Sequence, residues 1–177
     1  MTEDAVAIIL GGAECWQDDL TNAKALLDGH ALRYFIINDH IRTFPETGIA
    51  VTLHPEKLAR SWLPDRRAKG LPEPEQIWSH RADINVTHNN HGNDWGGSSG
   101  LFAVMIARKI GFKKIILCGV GMTTDGNHFV RHQRWNACAA FWHRWQQYIE
   151  ELKPVLRSMS GRTRDVFGAP DQEFLNG

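Results

Sequence analysis

Four short apolar runs, each ended by glycine or a polar residue, constrain the fold more than anything else in the chain. Ala5–Leu10 reads AVAIIL and stops at Gly11-Gly12. Arg33–Ile37 reads RYFII and stops at Asn38-Asp39. Ile49–Leu53 reads IAVTL and stops at His54-Pro55, and Lys114–Cys118 reads KIILC and stops at Gly119. A strand with one face in water alternates apolar and polar residues. An unbroken apolar run is buried on both faces, as in a parallel sheet. Gln76–Ser79 reads as a weaker strand and Val155–Met159 as a last one, ending at Ser160-Gly161.

Between these runs the period changes to that of a helix. The spacing predicts helices over Asp18–Leu27, Glu56–Leu63 (opened by Pro55 and ended by Pro64), Ser99–Ile110 and Gln133–Leu152, the longest. Arg81–Gly97 is polar and reads as irregular. Strands alternating with helices imply an α/β protein, a Rossmann-like open, mostly parallel sheet with helices on both faces, formed as one domain over residues 1–177. In such sheets ligands bind beyond the carboxyl ends of the strands, where the glycines and polar residues fall.

Composition removes several classes. Twenty Lys+Arg balance twenty Asp+Glu, whereas a nucleic-acid or acidic-membrane binder carries a basic excess. No apolar stretch approaches the ~18 residues of a membrane-spanning helix. The first residues, MTEDAVAIIL, carry acids where a secretory leader needs positive charge. Cys15, Cys118 and Cys138 lack metal-type spacing, which fits reduced thiols and a cytoplasmic expectation.

The strongest local motif is Gly96-Gly97-Ser98-Ser99-Gly100 opening a helix. Glycines let backbone amides approach an anion, serine hydroxyls add donors, and the helix start adds partial positive charge. The motif lacks the lysine and spacing of a P-loop and is not GxGxxG. Its plain alternative is a serine N-cap. Gly11-Gly12 forms a second turn between strand and helix without the dinucleotide fingerprint. His88, His91 and Asp94 carry metal-ligand side chains, or line a polar loop. His128 and His132 flank Phe129-Val130-Arg131 beyond the Lys114–Cys118 strand and are candidate general bases, with Arg131 or Arg134 as phosphate partners. Trp135, Cys138, Ala139, Trp142, Trp145 and Ile149 recur at helical spacing, as core or as a surface for a second copy of the chain. Cys15 near the first turn has the chemistry of a nucleophile but no partnering histidine in the sequence.

The segment Ser98–Phe129, SSGLFAVMIARKIGFKKIILCGVGMTTDGNHF, resembles the small bacterial sialyltransferases that use CMP-sialic acid. It is also similar to their Rossmann-like relatives, the motility accessory factors and the archaeal 6-hydroxymethylpterin pyrophosphokinases. The resemblance implies Gly12, Asn38, Ser98, Ser99 and Gly100 as nucleotide contacts; the strand-end turns add Gly11 and Asp39 to the candidate site, with Asn38 and Asp39 holding base or ribose. It implies a small nucleotide or nucleotide-sugar ligand and glycosyl transfer from it. The sequence departs from that pattern where Gly121 replaces an acid and Thr123 and Phe129 replace tyrosines. His128 or His132 would then move the proton. The alternatives are pyrophosphoryl transfer with Mg²⁺ between ATP and Asp39, Asp94 or Asp125, and a non-catalytic binding or assembly module.

Overall fold

The computed structural model describes residues 5–124, 126–130 and 138–177. Its centre is a seven-stranded sheet: β1 (Val6–Leu10), β2 (Leu32–Ile37), β3 (Ile49–Thr52), β4 (Gln76–Ser79), β5 (His88–Asn89), β6 (Lys114–Cys118) and β7 (Leu156–Ser158). The spatial order is β5-β4-β3-β2-β1-β6-β7, and every pairing is parallel. The fold is therefore the α/β, Rossmann-like open sheet that the apolar runs imply. The two-residue edge strand β5, inside the segment that reads as irregular, is an addition. It is too short and too polar to carry a strand pattern, and it exists because Trp78 and Ser79 of β4 offer it a ladder.

The helices are α1 (Trp16–Leu26), α2 (His40–Thr43), α3 (Leu63–Ala68), α4 (Ser99–Lys109), α5 (Cys138–Gln146), α6 (Ile149–Leu152), α7 (Gly161–Phe167) and α8 (Gln172–Asn176). Alternation along each strand feeds two cores. Ala7, Ile9, Phe35, Val51, Ile115 and Leu117 face α4, Trp145 of α5 and Phe167 of α7. Val6, Ile8, Leu10, Ile36 and Ile116 face α1, α2, α3 and α8. No helix among the described residues is long and apolar enough to cross a membrane.

Two helix expectations are corrected. Pro64 does not end a helix. A widened turn at Leu58–Trp62, in which Leu63 N–H donates to Leu58 O, leads into α3 with Pro64 in its first turn. The widened turn interrupts the α-helical ladder just where Pro64 has no N–H to give it, so the helical path continues through the proline. The described part of Gln133–Leu152 is two helices, broken between Gln146 and Ile149, where Gln147 and Tyr148 N–H groups donate to carbonyls only three residues back. Residues 133–137 lie outside the described residues.

The tryptophan stripe turns inward. Trp145 is fully buried, Cys138 is buried, and Trp142 packs against the core with the Arg162 guanidinium 5.3 Å from its ring centre. This half of the stripe is core; Trp135 lies outside the described residues. On the opposite face Arg66 is fully buried, with no carboxylate at ion-pair distance among the described residues. It donates to the carbonyls of Ile41 and Phe44 (2.9 Å each), Glu46 (2.9 Å) and Pro72, and so ties the short α2 to α3.

After β1 the chain builds outward through β2–β5, then returns to place β6 on the other side of β1. The crevice opens at that reversal, between the carboxyl ends of β1 and β6. Gly11 N donates to Cys118 O (2.8 Å) and Ala13 N to Gly119 O (3.0 Å). A Cβ at Gly11 would stand 2.4 Å from both Gly119 O and Val120 Cγ2. Gly11→Ala is expected to destabilise the fold by about 2–3 kcal/mol through overpacking. A lower urea midpoint with an unchanged m-value would verify it.

Candidate functional site

A cavity of about 120 Å³ lies over the β1–β6 crevice. The turns after β1, β2, β3 and β6 and the start of α4 form its walls. Gly11, Gly12, Asn38, Ser98, Ser99, Gly100 and His128 all line it. Asp39 stands behind that wall, with Arg42 Nη2 3.0 Å from its Oδ1.

The start of α4 divides its serines between two tasks. Ser98 is the N-cap: its Oγ accepts from Leu101 N (3.3 Å) and from the buried indole Nε1 of Trp145 (3.0 Å). Its side chain is therefore spent on holding helix and core together, the N-cap alternative for this motif. Ser99 is half-buried, and its Oγ accepts from Asn38 Nδ2 (3.2 Å). The amides of Gly12, Ser99 and Gly100 have no hydrogen-bond partner among the described residues.

Asn38 ends β2 with φ 51°, a left-handed conformation that asparagine adopts more readily than most residues. Its Oδ1 accepts from the buried Thr52 hydroxyl (2.9 Å), and Thr52 Oγ1 accepts in turn from His54 N (2.8 Å). One hydrogen-bonded chain thus runs His54–Thr52–Asn38–Ser99 across the ends of β3 and β2 to α4. Thr52 and His54 carried no signal beyond their place at a strand end; the polar Thr within an otherwise apolar run was the available clue.

The segment after β6 folds back over the first turn. Glu14 N donates to Asn127 O (3.1 Å) and Phe129 N to Gly12 O (2.9 Å), with Ala13 and His128 paired antiparallel. His128 Nδ1 accepts from Val130 N (3.2 Å), and Nε2 faces Asp39 Oδ2 at 3.7 Å. Both ring nitrogens are thus directed at protein groups. His132, Arg131, Arg134 and Asp125 lie outside the described residues.

Beneath this segment His40 is fully buried, stacked on Phe129 (4.4 Å) and edge-on to Trp16 (4.6 Å). Gly11 O can only accept, so His40 Nε2 carries the proton across their 2.8 Å contact; Nδ1 has no partner among the described residues. Burial lowers the His40 pKa to about 4. The folded state therefore binds fewer protons than the unfolded chain between pH 6.5 and 4, and stability falls as pH falls through that window. The lost stability at His40 amounts to about 3 kcal/mol. Urea titrations across this range are expected to show a shallower pH dependence for His40→Gln.

The remaining candidates are engaged elsewhere. Asp19, buried at 6% exposure, accepts from Gly119 N (2.8 Å) and Ser160 Oγ (2.6 Å). Cys15 lies 3.4 Å from that serine; burial pushes its thiol up and the Asp19 charge adds to this, the opposite of an activated nucleophile. His88 stacks on Trp78, His91 Nε2 meets Asn89, and Asp94 accepts from Gly96 N. No group of three or more metal-ligand side chains forms among the described residues.

No family model, curated protein or solved structure matches the chain.

Ser98→Ala removes a cap and strands the Trp145 indole N–H. It is expected to cost about 2–4 kcal/mol, read as a lowered denaturant midpoint.

Proposed function

We propose that the protein binds a nucleotide or nucleotide-sugar across the β1–β6 crevice and transfers a group from it, with glycosyl transfer the favoured chemistry. The observation that carries this reading is the character of the cavity wall. The lining residues Gly12, in the turn after β1, and Ser99 and Gly100, at the start of the eleven-residue α4, have backbone amides with no hydrogen-bond partner among the described residues. Among the described lining residues none is Asp, Glu, Lys or Arg. A site of this kind holds a phosphate by oriented N–H dipoles, which need no reorganisation when charge develops on a leaving phosphate.

The same wall favours metal-free transfer over a Mg²⁺–ATP reaction. Mg²⁺ takes carboxylate and phosphate oxygens. Asp39 is paired with Arg42 and Asp94 holds the turn before α4, so neither is presented to the cavity; Asp125, the third carboxylate of that alternative, lies outside the described residues. The resemblance of Ser98–Phe129 to the CMP-sialic acid transferases points the same way. In this reading Asn38 is a positioning residue that aims Ser99, and Asp39 reaches the site only through His128.

A thermal-shift screen with CMP, UDP, ATP, CMP-sialic acid and UDP-N-acetylglucosamine, with and without Mg²⁺, tests the reading. At least one of these is expected to raise the melting temperature without Mg²⁺, and Ser99→Ala to reduce that rise. Silence of all five at millimolar concentration would refute nucleotide binding.

A further inference from the structure

Resting on that reading of the cleft, we infer that His54 is the residue that carries the proton in the transfer step. His54 lines the cavity, and its side chain is 49% exposed. Its Nδ1 stands 3.6 Å from Glu56 Oε1. Glu56 Oε2 in turn accepts from Arg81 Nη2 at 2.7 Å. Nε2 has no partner among the described residues. The Glu56 charge on the Nδ1 side favours the tautomer with the proton on that nitrogen, which leaves the Nε2 lone pair for a ligand. The backbone is fixed as well, since His54 N donates to Thr52 Oγ1 in the chain that ends on Ser99. The proton carrier and the anion seat are thus positioned by one set of hydrogen bonds.

His128 lacks this arrangement, because Nδ1 accepts from Val130 N and Nε2 faces Asp39. The charges around His54 also suit a base. Burial and the nearby Lys57 lower its pKa, with His80 acting the same way and Glu56 opposing, so the ring is neutral at pH 7. Burial acts upward on Glu56, but a backbone hydrogen bond, Arg81 and His54 hold it below the usual carboxylate value, so it stays charged.

In the step, the oxygen of an acceptor hydroxyl, or of water, attacks the sugar carbon that is bonded to the phosphate. His54 Nε2 takes the hydroxyl proton as the new C–O bond forms. The electron pair of the broken C–O bond leaves on the phosphate oxygen, facing the amides of Gly12, Ser99 and Gly100. The imidazolium that results is stabilised by Glu56.

Two measurements on the full chain test this. Diethyl pyrocarbonate with peptide mass mapping should modify His54 in the free protein. Whichever of CMP, UDP or ATP raises the melting temperature should protect it, leaving His30, before β2 at the amino ends of the strands, equally reactive. His54→Ala should keep a nucleotide melting shift yet hydrolyse CMP-sialic acid or UDP-N-acetylglucosamine about 10²–10⁴-fold more slowly. Added imidazole should restore part of that rate, which a purely structural loss would not allow. A melting shift with His54 unprotected, or a wild-type hydrolysis rate in His54→Ala, overturns the inference and leaves nucleotide binding standing. No shift with any nucleotide overturns both.

Discussion

The molecule depends on how closely two backbone turns approach each other. Gly11 ends β1, Gly119 ends β6, and nothing larger than hydrogen fits on Gly11 where they meet. The contact is also held electrostatically: the buried Asp19 carboxylate draws in the Gly119 amide and the Ser160 hydroxyl, so α1, β6 and the turn after β7 share one anchor. Apolar burial forms the sheet but is indifferent to the exact path of its turns. This backbone contact sets that path, and so it sets the floor of the cavity.

Above that floor, polar order takes over from packing. A buried Thr52 has no reason to sit in an apolar strand unless its hydroxyl is used, and it is used twice, as donor to Asn38 and acceptor from His54. A neutral chain of this kind fixes side chains without bringing net charge into the crevice. That leaves the unpartnered amides at α4 as the dominant local dipoles.

The apolar runs made the sheet legible because burial on both faces writes itself directly into composition. β4 and β6 have the bounds that QIWS and KIILC suggest. The glycines at the strand ends located the crevice for the same reason: close approach selects residue type. What stayed illegible depends on contacts distant in sequence. That Ser98 rather than Ser99 serves as cap follows from Trp145, 47 residues away. That His128 is turned toward Asp39 follows from pairing of its segment with Ala13. Pro64 misled because the rule for a helix-ending proline assumes an unbroken α-helix before it, and the widened turn at Leu58–Trp62 removes that assumption.

Arg66 has a consequence for how the molecule opens. Among the described residues no carboxylate lies within ion-pair distance of its guanidinium, although the Glu73 charge acts on it; it is solvated by carbonyl oxygens from residues 41–46 and from Pro72. Pulling either segment away would leave a desolvated charge short of ligands, a far larger penalty than breaking a neutral turn. The two segments therefore behave as one cooperative unit, whose amides exchange hydrogen together rather than fraying singly. Because that unit includes α2, Asp39 and His40, which stand behind the cavity wall, inherit their rigidity from a guanidinium on the far side of the helix.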